Sequence, residues 1–194
     1  MTDKPRRGRP PKTTAEDWER AALDAVAAGG VASVSVEALA VGLGTTKGSF
    51  YWHFANREAL IEAALHRWEA EHTERLAGYL DTVADPMERL RYTFPGSLAD
   101  QRGSAVALTL LADAEDPSVG AAIARVTARR VAVLERAFAD LGFTPGQART
   151  RAQTAYAIYL GTAALRRGAP DSAPEPDADY AATVLEILTT AERG

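Results

Sequence analysis

The chain has 194 residues, a formal net charge of −4 and no Cys. This length suffices for one sizeable core and a small second one, and the lack of Cys excludes a disulfide-stabilised scaffold. No apolar run reaches the ~20 residues of a membrane-spanning helix, and no hydrophobic signal region follows the basic N-terminus. The sequence therefore predicts a protein of the reducing cytoplasm.

The charges are distributed unevenly along the chain. Residues 1–57 hold 8 Lys and Arg against 6 Asp and Glu, whereas residues 58–194 hold 14 against 20. A basic end on an otherwise acidic protein predicts that this end alone meets a polyanionic partner.

Most of the basic residues near the N-terminus lie between Lys4 and Lys12. Prolines and a glycine oppose a regular helix there, and no apolar side chain needs burial, so we expect a disordered arm over residues 1–13. One interpretation is a solvated tail. The other rests on Arg7-Gly8-Arg9-Pro10, which resembles the core of AT-hook peptides that bind the minor groove of A·T-rich DNA. The DNA contacts are then Arg6, Arg7, Arg9 and Lys12.

The first predicted helix runs from Thr14 to Ala28. Thr14, with Asp17 three residues later, is typical of a helix cap, and Gly29-Gly30 ends the helical pattern. Trp18 lies on the apolar face of this helix, and we interpret it as a core residue.

Two short helices around a glycine turn come next. Ser35 is a good N-cap for the first, and Gly44 ends it. Thr45 or Thr46 caps the second, which is very short and begins near the small residues Gly48-Ser49. Small side chains let a helix approach base edges in a major groove about 12 Å wide, so the pattern predicts a helix-turn-helix.

The segment from Gly44 to Phe54, followed by Asn56-Arg57-Glu58-Ala59-Leu60, resembles the DNA-binding motif of the tetracycline-repressor (TetR/AcrR) family. The shared pattern is a glycine, turn residues, a small residue, a Tyr, a His-Phe pair and a basic residue that opens the next helix. This combination is specific, whereas a glycine turn by itself is weak evidence.

The resemblance implies roles for individual residues of the motif. Lys47, Gly48 and Ser49 are expected at base edges. Phosphate contacts, or support of the recognition helix, are expected from Ser35, Thr45, Thr46, Tyr51, Trp52, His53 and Arg57. Because the first motif helix contains no Lys or Arg, binding is expected to depend on the arm, Lys47 and Arg57.

Beyond the motif the pattern is helical throughout, and no strand pattern or repeat is found. We therefore predict an all-α fold of about nine helices, with a basic arm over residues 1–13, a three-helix helix-turn-helix head over 14–57 and a continuous helical body over 58–194. The predicted body helices are 56–80, one that opens at Asp85-Pro86 and is broken by Pro95-Gly96, then 104–114, 116–142, 144–168 and 177–191.

The last two helices carry apolar stripes with small residues. The family resemblance implies that they form a four-helix bundle with a second copy, although packing within one subunit explains the stripes equally well. The residues assigned to this homodimer interface are Ala152, Tyr156, Tyr159, Leu160, Ala163, Tyr180, Val184, Ile187 and Leu188.

The resemblance also implies a small-molecule effector that binds among the body helices. The candidate ligand-binding residues are Trp68, Tyr92, Phe94, Leu98, Leu108, Leu111 and Val126, each of which also fits a plain core. Arg125, Arg129 and Arg130 fit an anionic effector or a solvated helix face. An apolar or aromatic metabolite is the preferred ligand class.

The sequence thus predicts a DNA-binding transcriptional regulator, a repressor that its effector releases from operator DNA, with no cofactor, metal or catalytic residue. One alternative is an architectural DNA-binding dimer without an effector. A more remote one is a helical enzyme or a metal-binding protein that uses His66, Glu69 and His72, whose spacing spreads them around a helix.

Overall fold

A computed structural model of the chain describes residues 13–190. The described residues form helices and connecting turns, without a strand. The chain divides into two compact units, with the division between Ala64 and Leu65. The arm residues Arg6, Arg7, Arg9 and Lys12 lie outside the described residues.

The N-terminal unit contains five helical elements, and its first three α-helices begin where the predicted caps lie. A capping box between Thr14 and Asp17 starts the first helix, and the chain leaves it through Gly30 at φ 79°. The elements are α1 (Ala15–Gly29), a 3₁₀ turn (Val31–Ser33), α2 (Val36–Gly42), α3 (Lys47–Phe50) and the start of α4 (Arg57–Glu69).

The core of this unit is aromatic. Trp18 and Phe50 are fully buried and meet edge to face, with 5.4 Å between ring centroids. Phe54 stacks on Phe50 at 5.7 Å. Such pairs contribute about 0.5–1.5 kcal/mol beyond burial of their area, so they hold the very short α3 that helical propensity could not maintain.

The second unit is built from the remainder of α4 and six further helices. Helix α4 passes without a break into a π-helical segment (Ala70–Glu74) and then α5 (Arg75–Leu80). Counted as one helix, residues 57–80 bring the total over residues 13–190 to nine. The others are α6 (Pro86–Ala99), α7 (Gln101–Ala112), α8 (Pro117–Asp140), α9 (Pro145–Gly168) and α10 (Ala178–Thr189).

Helices α6, α8, α9 and α10 share the main core of the second unit. Leu90, Phe94, Phe138, Ala152 and Leu188 are among its buried members. Three of the helices of this unit open with an Asp or Thr cap followed by Pro at the first helical position, where a missing N–H costs nothing. None of the helices described is long and apolar enough to cross a membrane.

The prediction that Pro95-Gly96 breaks a helix is wrong, because α6 continues through Pro95 to Ala99. An interior Pro costs ~3 kcal/mol, and burial of Phe94 before it and Leu98 after it offsets that cost. Helix α7 also begins earlier than predicted, since the side chain of Asp100 caps it.

Candidate functional site

Helix α3 and the turn before it are positioned by hydroxyl caps. The amide of Ala38 donates to Ser35 Oγ at 3.3 Å, and the amide of Ser49 donates to Thr46 Oγ1 at 3.3 Å. Between the two helices, Gly44 has φ 61°, a conformation that favours glycine. The hydroxyl groups of Ser35 and Thr46 therefore already accept hydrogen bonds from backbone N–H groups of the helices that they cap.

The surface around α3 is formed by residues that the sequence analysis assigned to DNA. Lys47 and Gly48 are exposed at the start of α3, and Thr45 in the preceding turn is half-buried. Tyr51 and Trp52 follow α3 with 58% and 54% of their surface exposed, which is unusual for large aromatic residues. Together these residues present cationic, backbone and aromatic groups to solvent.

Ser49 differs from its predicted place at a base edge. It is 6% exposed, and its hydroxyl has no hydrogen-bond partner in the described residues. A helix of one turn presents one side to solvent, and here Ser49 shares the inner side with Phe50. The structure therefore gives Ser49 a packing position, and the surface of α3 belongs to Lys47 and Gly48.

Arg57 and His53 make hydrogen bonds inside the N-terminal unit. The Arg57 guanidinium donates to the carbonyl oxygens of Val34 at 2.7 Å and Val31 at 2.5 Å, at the end of the 3₁₀ turn. His53 Nε2 lies 2.8 Å from the carbonyl oxygen of Thr13, at the start of α1. Both side chains brace the elements around α3, which was one of their two expected roles.

Lys47 forms an ion pair with Glu37 of α2, which the sequence analysis did not single out. The hydrogen bond and charge of Glu37 raise the pKa of Lys47, and the same bond lowers the pKa of Glu37. Both side chains are more than half exposed, at 52% and 65%. The main cation of α3 is thus held by an anion on the same surface.

The described part of the predicted head is acidic. Residues 13–57 contain 3 Lys and Arg against 5 Asp and Glu, a formal charge of −2. The net positive charge of residues 1–57 therefore comes entirely from residues 1–12.

The second unit contains a cavity of about 550 Å³. Its walls come from the π-helical segment, α5, α6, α8 and α9. Tyr92, Phe94 and Leu98 line it, as the sequence analysis expected of a ligand site. Pockets for small ligands commonly have 300–1,000 Å³, so this volume suits a metabolite.

Other residues of the candidate ligand set lie elsewhere. Trp68 and Val126 are fully buried in the packing of the unit, Leu108 is half-buried, and Leu111 is 37% exposed; none of the four lines the cavity. Arg130, which the sequence analysis considered for an anionic effector, lines the cavity as well. Other polar lining residues were not assigned to a ligand site from the sequence, because they are spread over several elements and share no motif. They include His72, Asp100, Tyr156 and Tyr159.

Most residues assigned to the dimer interface are buried within the described chain. Leu160 and Tyr180 are half-buried, and Ile187 is the most exposed of the set at 67%. The buried members are Ala152, Tyr156, Tyr159, Ala163, Val184 and Leu188. Packing within the chain thus accounts for these six, and their role between subunits stays a prediction.

The family described as bacterial regulatory proteins, tetR family, matches residues 20–64. The fold is similar to that of reduced E. coli NemR, with a TM-score of 0.74 and 20% identity over 94% of this chain and 100% of that chain. It is also similar to the Bacillus subtilis transcriptional regulator FadR, solved with stearoyl-CoA, with a TM-score of 0.71 and 16% identity over 91% and 98% of the two chains. For Salmonella enterica GusR the TM-score is 0.68 and the identity 20%, over 90% and 93%. No curated protein matches the sequence.

The family match covers the α2–turn–α3 motif and its supporting helices, and the structural similarity extends over the helical body. Residues 20–64 are therefore similar to the tetR family of bacterial regulatory proteins, and the helical fold of the chain is similar to the folds of the solved regulators named above.

Proposed function

We propose that the protein is a homodimeric, cytoplasmic transcriptional repressor whose operator binding is weakened by a small effector in the body cavity. Residues 14–57 serve as the DNA-binding domain and residues 58–194 as the ligand-binding and dimerisation domain. The observation that carries the DNA-binding role is the exposed surface formed by Lys47, Gly48, Tyr51 and Trp52 on a capped helix-turn-helix.

On this surface, Lys47 and the backbone of Gly48 approach base edges. Tyr51 and Trp52 contact the sugar-phosphate backbone through their polar atoms, because an amphipathic ring can pack its body and still offer a donor. Ser35 and Thr46 act through the helix ends that they cap, where N–H groups and the helix dipole attract phosphate. Since the described head has a charge of −2, the arm supplies most of the electrostatic affinity.

The subunit interface that we propose uses the outer side of α9 and α10. Ala157, Gly161 and Ala164 are exposed along α9, and a Cβ at Gly161 would meet nothing within 4 Å, so another helix can approach closely. Ile187 is the exposed apolar residue of α10. A closed two-fold dimer places two recognition helices on successive half-sites, about one helical turn of DNA apart.

The cavity supports the effector role. Its volume suits a metabolite, and Phe94, Leu98 and Leu134 give it an apolar wall. A similar fold in Bacillus subtilis FadR is associated with stearoyl-CoA, a ligand with a long apolar part. To lower operator affinity tenfold, the effector must prefer the non-binding conformation by about 1.4 kcal/mol.

The test begins with selection of binding sites from random duplexes by the full-length protein. We expect a palindromic site bound by a dimer, with loss of affinity in the Lys47→Ala variant and unchanged affinity in Arg102→Ala, which removes an exposed cation from α7. A metabolite that raises the thermal midpoint should then weaken operator binding. Metabolites that stabilise the protein yet leave operator affinity unchanged would favour the architectural alternative, and absence of sequence preference would contradict the regulator itself.

A further inference from the structure

Arg130 differs from the other arginines of α8. Arg125 pairs with Glu69 at 3.0 Å, Arg129 pairs with Glu74 at 3.2 Å, and Arg136 pairs with Asp81 at 2.8 Å. Arg130 forms no ion pair with any Asp or Glu of residues 13–190, although it is half-buried and lines the cavity. Asp100 interacts with Arg130 electrostatically but does not form an ion pair with it, so an anionic ligand group could still pair directly with this half-buried guanidinium.

The π-helical segment holds Arg130 in place. Its Nε donates to Thr73 Oγ1 at 2.9 Å, and its Nη2 donates to the carbonyl oxygen of His72 at 3.1 Å. The guanidinium also lies against two aromatic rings, 5.6 Å from Trp68 and 5.4 Å from Tyr159. A π-helical turn in an α-helix often marks a functional site, and here it supplies both oxygen acceptors that orient the guanidinium.

These contacts leave N–H groups of the planar guanidinium for a ligand, since Arg carries five such donors. Tyr159 lines the same cavity and its ring lies against the same guanidinium, so its hydroxyl belongs to the same part of the site. Burial raises the pKa of this hydroxyl, so it remains protonated at neutral pH and can donate a hydrogen bond. A fork of guanidinium donors beside a hydroxyl matches the two oxygens of a carboxylate.

Another part of the cavity wall is apolar, and the cavity opens to solvent beside two tyrosines. Leu80, Phe94, Leu98 and Leu134 are buried lining residues. The rings of Tyr79 and Tyr92 are in tilted contact, with 4.5 Å between centroids, and the two residues are 47% and 54% exposed, so they form part of the mouth. The site therefore combines a cationic group with a wall for a hydrocarbon or aromatic ligand.

Two carboxylates limit the charge that the cavity accepts. Asp100 lines it and is held by His72 Nδ1 at 2.7 Å and by the amide of Gly103 at 2.9 Å. Glu71 also lines it and pairs with Arg67. The exposed Arg75 also lines the cavity, so two cations of the lining are balanced by these two anions. No surplus of positive charge therefore favours a ligand group with more than one negative charge.

We propose that the body cavity binds an amphipathic monocarboxylate, whose carboxylate pairs with Arg130 and Tyr159 while its apolar part contacts Phe94, Leu98 and Leu134. This inference rests on the proposed function, because it names the chemical class of the effector. It also gives Arg130 a different role from Arg125 and Arg129, although the sequence by itself does not distinguish the three residues.

The test uses matched probes and titration calorimetry on the full-length protein. The probes are 4-phenylbutyrate and decanoate, the neutral primary amide of each, and 4-phenylbutyl phosphate. At least one carboxylate should bind ten or more times as tightly as its amide. Arg130→Gln should remove that preference, whereas Arg125→Gln, which removes the same charge from the exposed side of α8, should keep it.

Circular dichroism would reveal misfolding of the Arg130→Gln variant, and two more variants test the proposal if that variant misfolds. Arg130→Lys keeps the charge without the fork, so it should retain part of the preference. Tyr159→Phe keeps the ring and should lose several-fold of carboxylate affinity with little effect on the amide.

Equal binding of acid and amide, no binding of any probe at millimolar concentration, or tighter binding of the phosphate would overturn the proposal. An unchanged preference in Arg130→Gln would overturn it too. Operator affinity is measured separately with each bound probe. A carboxylate that binds through Arg130 but leaves the operator occupied supports this inference and contradicts the effector role. Release of the operator by neutral ligands alone supports the effector role and contradicts this inference.

Discussion

The ion pair between Glu37 and Lys47 offers a direct test of which surface meets DNA. In the structure the main cation of α3 is paired with an anion of α2, and both side chains are more than half exposed. DNA must compete with Glu37 for Lys47, which approaches base edges in our proposal and is free to neutralise a neighbouring phosphate as well once Glu37 loses its charge. We therefore expect the Glu37→Gln variant to bind operator more tightly than the wild type.

The size of the gain follows from counterion release. A cation that neutralises one phosphate adds roughly 0.9 to the slope of log affinity against log salt. If Lys47 is freed to make one such contact, affinity rises about fivefold at 0.15 M salt and about fifteenfold at 0.05 M salt. The stability of the fold should change little, because exposed ion pairs contribute little to it.

Fluorescence anisotropy with a labelled operator at several salt concentrations measures both quantities. Glu88→Gln is the matched control, since it removes the same charge from the exposed side of α6. A general effect of net charge would appear equally in both variants. If Glu37→Gln keeps the affinity and salt slope of the wild type, the surface formed by α2 and α3 does not face the phosphates in the way we describe.

Four further predictions address the arm, the aromatic surface and the cavity. Deletion of residues 1–12 removes five Lys and Arg and should flatten the salt slope by up to about 4.5, at roughly 0.9 for each cation, whereas superimposable slopes would identify a solubility tail. Tyr51→Ala should cost operator binding about 1–3 kcal/mol with an unchanged circular dichroism spectrum, and an unchanged affinity would remove Tyr51 from the contact surface. Gly103→Ala should destabilise the protein by about 1–3 kcal/mol in urea, since a Cβ there would lie 2.1 Å from Asp100 Oδ2 and 2.5 Å from His72 Nδ1. Burial opposes ionisation of Asp100, but the bonds from His72 and the Gly103 amide outweigh it and lower its pKa, so the carboxylate stabilises the fold above its ordinary pKa of 3.8 and loses that effect as the pH falls below it. The acid limb of an Asp100→Asn stability curve should therefore be flatter than that of the wild type; parallel limbs would contradict the assignment.

The sequence was sufficient for the features that depend on neighbouring residues. Caps such as Thr14 and Ser35 lie within three residues of the N–H groups from which they accept hydrogen bonds. Gly44 adopts the left-handed conformation that its place in the turn requires. Such local rules gave the all-α fold and the helix-turn-helix. The start of α7 was missed because a capping Asp100 directly follows the preceding helix, where no break marks the boundary.

Side-chain roles that depend on distant parts of the chain needed the tertiary structure. Hydrophobic periodicity shows that a face is apolar, but it does not tell whether that face meets its own chain or a second one, as Tyr156 and Val184 illustrate. The same holds for charge. Arg125, Arg129 and Arg130 are indistinguishable in sequence, and only contacts with residues more than fifty positions away pair the first two with carboxylates and place the third in the cavity. Packing decides such roles because the tertiary fold determines which side chains come into contact. The sequence shows only which residues are available to pair.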